Sequence, residues 1–451
     1  MSASAPTPPP DAAGASPGAS GRGGRDAGDS KPPGRAAAAA SDSLLVAVVR
    51  EESARITAAL TVSFGSFDVA EEAVAEAVEE ALREWRSRGI PPNPGAWLTQ
   101  AARHNAIDRV RRERVLRDKV ALLQPTPTVD GASADERLPL LFGCCHPALA
   151  PESQLALTLR AVCGLTTAQI ARATFSSEPA TGQRISRAKR KIADSGIPLR
   201  VPEGADAAAR LDLVFTIVSV MYSEAHFVAG ADAAADRDLA DDALWLARVI
   251  AEALPRAAEA QGLLALLQFH RARESARSVD GELVLLADQD RGRWDAGLLA
   301  GARASLERAA RIRQPGRWQL HAAIAACHAD AADAATTDWL QVLTLYDMLL
   351  AYDRSPVVRL NRAVALARVD GSAAALAEVD ALEDPLSRSH LWHAVRASLL
   401  REVGRDDEAL AADLQALELT ANEAERRLLA ARAASATAAR PVRGDEGELR
   451  R

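Results

Sequence analysis

The chain has 451 residues, enough at roughly 100–200 residues per domain for two to four domains with a substantial core, which excludes a single small module. Hydrophobic residues make up 48% and charged residues 25%, but aromatics only 4%, so the core is built from Ala, Leu and Val, a mixture that favours helix over strand. A net charge of −7 would argue against nucleic acid if it were spread evenly, and it is not.

Four cysteines cannot make a dense disulfide framework, and no apolar h-region with a cleavage site opens the sequence, so a reduced, cytoplasmic protein is expected. No stretch of about 18 apolar residues occurs, Leu211–Met221 being too short to span a bilayer and flanked by charge, and no membrane contact is expected. Arg103–Lys119 holds seven basic residues against three acidic ones, and Arg160–Arg200 holds eight against two. Two basic islands in an acidic chain fit localised polyanion contacts, because phosphate binding needs clustered cations on one surface. The plainer reading of such runs is a solvated helix face.

Residues 1–42 are Pro, Gly, Ala and Ser without apolar periodicity and read as a disordered tail. Helical spacing begins at Ser43 with Leu44, Leu45, Val48 and Val49, followed by Ile56, Leu60 and Val62. Asp68–Arg88 reads as an amphipathic helix with Val69, Ala73, Val74, Ala77, Val78, Leu82 and Trp85 inward and glutamates outward. The Gly89–Pro94 stretch breaks it. A third helix is expected from about Gly95 to Lys119, with Trp97 on its apolar stripe as a core anchor and arginines on the other side. Residues 120–136, with prolines and a glycine, read as a linker. Beyond it, Leu138–Cys145 and Glu152–Val162 are helical patterns, and Thr166-x-x-Gln169 is a capping-box signature opening a short helix. Ser177 is placed to cap a longer helix, from Glu178 to about Ser195, with Gly196 past its end. In that helix Ile185, Ala188 and Ile192 share one face and Arg184, Arg187 and Lys191 the other, which is the geometry of a recognition helix in a helix-turn-helix.

From Leu211 onward Ala- and Leu-rich helical patterns follow one another, and Ala363/Ala397 and Ala375/Ala409 repeat with a period of 34, the tetratricopeptide length. Stacked helix pairs of this kind make a concave surface for a protein or intramolecular partner. Cys144-Cys145-His146 has no second ligand pair and Tyr222–His226 no nucleophile motif, so both are expected to be structural, with no catalytic residue, metal or cofactor.

Asp68-Val69-Ala70-Glu71-Glu72-Ala73-Val74, Asn93-Pro94-Gly95-Ala96-Trp97-Leu98 and Ala106–Arg112 resemble region 2 of the extracytoplasmic-function group of bacterial RNA polymerase sigma factors. Leu141–Leu149 and Gly164–Ala171 resemble the start of region 4. Asp280–Asp295 and the repeats after it resemble the subgroup with a tetratricopeptide-containing C-terminal extension. The resemblance implies an all-α, multi-domain chain: region 2 over 43–119, the linker over 120–136, region 4 over 137–197, a helical extension over 198–300, repeats over 301–425 and a tail over 426–451. It further implies that Asp68, Glu71, Glu72 and Glu76 face core polymerase, while Arg103, His104, Asn105, Arg109, Arg111 and Arg112 face the −10 element of promoter DNA. Thr181, Gln183, Arg184, Arg187, Lys189, Arg190 and Lys191 would face the −35 element. Ala75 and Val78 stand where members of the group carry Gln and an aromatic. The competing expectation is a stand-alone helix-turn-helix regulator with the repeats as its effector platform.

Overall fold

The computed structural model describes residues 52–53, 55–117, 137–174, 176–202, 205–228, 239–279, 282–420 and 422–438. The expected tail over 1–42, the Leu44–Val49 pattern and the whole of the 120–136 linker lie outside the described residues. The described chain is all-helical apart from one two-stranded hairpin, in which Ser278 pairs with Leu283 and Val279 with Glu282.

Residues 55–64, α1 (Phe67–Arg88) and α2 (Pro94–Arg117) form the first bundle. Ser66 caps α1 by accepting from the Val69 amide, Asp68 sits in the positive first turn, and Gly89 ends the helix at φ +86°, a conformation that a side chain would strain. Asn93 Oδ1 accepts from the Ala96 amide at 3.0 Å, and Pro94 occupies the first turn of α2, where its missing N–H costs nothing. Ile56, Leu60, Val74, Ala77, Trp85, Leu98 and Ala102 close the core between them. Trp85 and Trp97 meet edge to face with ring centroids 5.5 Å apart, so Trp97 is packed as an anchor.

Helices α3 (Arg137–Cys144), α4 (Pro151–Ala161), α5 (Thr167–Ala173) and α6 (Glu178–Asp194) follow. The capping box forms as the sequence predicts: Thr166 Oγ1 accepts from the Gln169 amide at 3.2 Å, and Gln169 Oε1 accepts from the Thr166 amide at 2.9 Å. Ser177 caps α6 and Gly196 follows it at φ +59°. Cys144 and Cys145 are buried, and burial pushes the Cys145 thiol up to about 12, which makes it an unreactive packing group.

Next come α7 (Ala205–Val228), α8 (Leu239–Ala253), α9 (Ala258–Ala272), α10 (Ala296–Ile312) and α11 (Arg317–Asp330). One hydrophobic cluster joins Leu138–Ile197 to Val214, Phe215, Met221, Leu246, Ile250, Leu263, Leu267 and Trp318. Arg210 bridges the same seam, donating to the Phe142 carbonyl at 2.7 Å. The boundary expected at 197/198 therefore divides a continuous core, because the inner face of the helix-turn-helix is covered by the helices that follow it.

The last part comprises α12 (Trp339–Leu349), α13 (Pro356–Val369), α14 (Ser372–Asp380), α15 (Glu383–Leu386), α16 (His390–Glu402), α17 (Asp406–Leu419) and α18 (Glu423–Ala438). The segment expected as a tail from 426 is thus helical as far as Ala438. In the pairs α13/α14 and α16/α17 the period-34 positions Ala363, Ala375, Ala397 and Ala409 are at most 1% exposed. Gly371 and Gly404 make the two inter-helix turns at φ +92° and +77°. Small side chains at these crossings let the helices approach, so Ala397→Leu is expected to overpack the α16/α17 contact and cost about 1–3 kcal/mol. Chemical denaturation of the full chain, followed by the Trp392 environment, checks this, since Trp392 is buried in the same cluster and donates to the Val379 carbonyl at 2.8 Å.

Candidate nucleic-acid interface

Helix α6 is positioned from both sides. Its inner face carries Ile185, Ala188 and Ile192, at 6%, 2% and 5% exposure, into the shared core, and this fixes which residues point out. Gln183, Arg187, Arg190 and Lys191 are exposed or half-buried along the outer surface, with Arg184 beside them, so this part of the set expected to face DNA lies outward. Gln183 Oε1 accepts from Arg187 at 3.3 Å, holding the two side chains together one turn apart.

Two members of the set behave differently. Thr181 is fully buried, and its hydroxyl lies 2.6 Å from that of Ser176, so it is a fastener of the helix-turn-helix corner and not a base-reading group. Lys189, with a side chain 14% exposed, turns away from the arginine face toward α1, where its Nζ lies 3.2 Å from Asp68 Oδ1 and 2.9 Å from Glu71 Oε2. Arg160 on α4 adds a second cation 3.5 Å from Glu71. Phe67 and Ala58, at 5% and 0% exposure, belong to the same hydrophobic cluster as the helix-turn-helix core. The acidic end of α1 is thus clamped onto the helix-turn-helix by an apolar plug and an ion-pair cluster.

On α2, Arg103, His104, Arg111 and Arg112 are exposed. Arg103 and His104 line one cleft with Glu52, Arg55, Thr99 and Gln100. Asn105 is half-buried with Nδ2 donating to the Ala73 carbonyl at 3.4 Å, so it also helps hold α2 to α1. Arg109 is bound by Glu72 and by Glu76, the latter at 3.2 Å. Two glutamates expected to face polymerase therefore neutralise an arginine expected to face DNA. Sequence spacing places Glu72, Glu76 and Arg109 each on an exposed helix face but is silent on which faces oppose one another.

Capped turns, a buried inner face and an arginine-lined outer face make this a DNA-binding helix-turn-helix, and residues 140–192 match the family described as Sigma-70, region 4. Residues 210–310 match a family of unknown function, DUF6596. "Uncharacterized protein R00370" of Rhizobium meliloti (strain 1021) is 40% identical over 376 residues, covering 80% of this chain and 88% of that protein, and the chain belongs to its family. Among solved structures, the crystal structure of the yeast Tom70 aligns over 84% of this chain and 82% of its own at 12% identity, with a TM-score of 0.37. Among the described residues no helix is long and apolar enough to cross a membrane.

Proposed function

We propose that the protein is an RNA polymerase sigma factor of the extracytoplasmic-function type, with a tetratricopeptide-like C-terminal extension that governs its activity. The observation that carries this reading is the sigma-70 region 4 match on a helix-turn-helix whose outward face is cationic. In this reading Gln183 and Arg184 approach base edges in the major groove while Arg187, Arg190 and Lys191 meet phosphates. The cleft of Arg103 and His104, with Arg111 and Arg112 further along α2, takes the −10 strand, since a cationic groove holds displaced backbone. The acidic face of α1, with Asp68, Glu71, Glu72 and Glu76, contacts core polymerase.

Asp68 and Glu71 are engaged by Lys189 in the free chain. Docking on polymerase and opening the two DNA-reading parts are then one event: the enzyme takes over the carboxylates and frees α6. A compact free chain of this sort binds promoter DNA weakly until polymerase separates its parts.

Run-off transcription with core polymerase and the upstream region of its own gene tests the function, with a promoter-dependent transcript as the expected result. The quadruple variant R184A/R187A/R190A/K191A is expected to abolish that transcript and to lower the salt slope of promoter binding by about one for each phosphate left without its cation. Equally tight, specific binding with and without core polymerase would instead support a stand-alone regulator.

A further inference from the structure

Within the segment matching the family of unknown function, three arginines crowd together, none of them in an ion pair with a described residue. Arg273 and Arg277 stand about one turn apart where α9 passes through the short turn Glu274–Ala276. The strap after the hairpin is tied back onto this turn. Ser275 Oγ donates to the Arg293 carbonyl at 2.6 Å, and the Asp295 amide donates to the Ala272 carbonyl at 2.8 Å. Arg291 at its start is fixed by donating to the carbonyls of His328 and Ala331, the latter at 2.8 Å, with its guanidinium 5.0 Å from the Trp294 ring centroid.

The side chains of Arg273 and Arg277 make no hydrogen bond or ion pair with any described residue, and the Nε of each is shut off from solvent with no acceptor. Arg291 bonds only neutral backbone carbonyls. The acids nearby are shared: Glu274 lies 3.5 Å from Arg271 and also favours the charge of Arg273, and Asp333 accepts from the Thr336 amide at 2.8 Å and also favours that of Arg291, so neither is a dedicated partner. The crowding has an electrostatic signature. Burial first, then the charges of Arg277 and Arg291, bring the Arg273 guanidinium down to about 10 against the opposing influence of Tyr222 and Glu274. Burial, followed by Arg273 and Arg291, holds His328 at about 4 and hence neutral at pH 7. The indole N–H of Trp294 beside them is also buried without an acceptor.

Desolvating a cation without an ion-pair partner is costly, and Arg273, the most deeply placed of the three, carries that cost beside two further cations. The missing complement is an acceptor-rich anion, and guanidinium forks match planar carboxylate or tetrahedral phosphate oxygens in paired hydrogen bonds. We propose that Arg273, Arg277 and Arg291 form a binding site for a small oxyanion of the phosphate or carboxylate class, which makes the extension a ligand-sensing module. The site is independent of the sigma-factor reading.

Thermal unfolding of the full chain, titrated with inorganic phosphate, pyrophosphate or citrate at an ionic strength held constant with sodium chloride, tests the site. At least one of the three is expected to raise Tm by about 2–4 °C for each kcal/mol of binding, growing with the logarithm of its concentration once that exceeds Kd. A response to the phosphates alone assigns a phosphate ligand and a response to citrate alone a carboxylate. R273Q/R277Q is expected to lose the response while unfolding, empty, at the same or a higher temperature, because a repulsion has been relieved. R303Q, which breaks the nearby ion pair with Asp330, keeps the response. The proposal is overturned if chloride matches all three anions, if R273Q/R277Q responds as the parent does, or if the empty double variant is less stable than the parent.

Discussion

Replacing Lys189 by glutamate is expected to detach α1 from the recognition helix and to open the free chain. The substitution sets a third carboxylate against Asp68 and Glu71 in a site where the Lys189 and Glu71 side chains are only 14% and 21% exposed. Removing one partner of a well-buried pair costs about 3–5 kcal/mol, and a wholly exposed pair is worth under about 1 kcal/mol. With Asp68 78% exposed the contact lies between these, at about 2 kcal/mol, or roughly a thirtyfold shift toward the open form. Small-angle scattering should show a larger radius of gyration for K189E, and a fluorescence pair on α1 and α6 a longer distance. The exchanged variant E71K/K189E should recover only part of both, because the new carboxylate at position 189 then faces Asp68 and the new ammonium at position 71 faces Arg160. A K189E chain as compact as the parent would mean that Phe67 and its apolar neighbours hold the two parts together unaided. High salt is expected to open the parent partially, since screening weakens the ion pairs but not the plug.

The second large effect concerns truncation. A chain ending at Ile197 contains every residue of the region 4 match, yet it is expected to fail to fold over 137–197. It loses Val214, Phe215, Met221, Leu246, Ile250, Leu263, Leu267 and Trp318 from one continuous core. Each large buried apolar side chain contributes about 1.5–3 kcal/mol, so the eight together, about 12–24 kcal/mol, match or exceed the roughly 5–15 kcal/mol that typically holds a domain together. The cut also removes Leu199, which packs so closely on Gly143 that a Cβ there would collide with it. Circular dichroism and a denaturant titration of the truncated chain check this: a cooperative transition like that of the whole protein would refute it. Loss of transcription on truncation after Ile197 would therefore report unfolding and not the removal of a regulator.

Much of the architecture was legible in the chain itself. The Thr166–Gln169 box, the Ser177 cap and Gly196 delimit the two helices of the helix-turn-helix through hydrogen bonds made within a few residues, and the structure repeats them. Ala363, Ala375, Ala397 and Ala409 fall where the 34-residue period puts them, because small residues are needed wherever two helices of a repeat cross. Illegible in the same stretch were the fate of Thr181, hidden by Ser176 at the corner, and that of Lys189, drawn off the arginine face by acids over a hundred residues earlier. Both depend on what lies against the helix, and periodicity describes a helix without its neighbours. The arginine cluster is invisible to periodicity for the same reason: Arg273, Arg277 and Arg291 sit in unremarkable local contexts and meet only when the strap folds back.

What the sequence determined by itself, then, is everything governed by local hydrogen bonding and by the 3.6-residue spacing of apolar groups: an all-helical chain, the capped helix-turn-helix, the repeat and its tight glycine turns. Only the tertiary structure decided that the helix-turn-helix shares its core with the extension, that the acidic face of α1 lies against the recognition helix, and that three arginines gather without an ion pair to a described residue. Those outcomes follow from which apolar faces find each other across long separations. Burial then fixes, as a by-product of packing, which charges are neutralised and which remain available to a ligand.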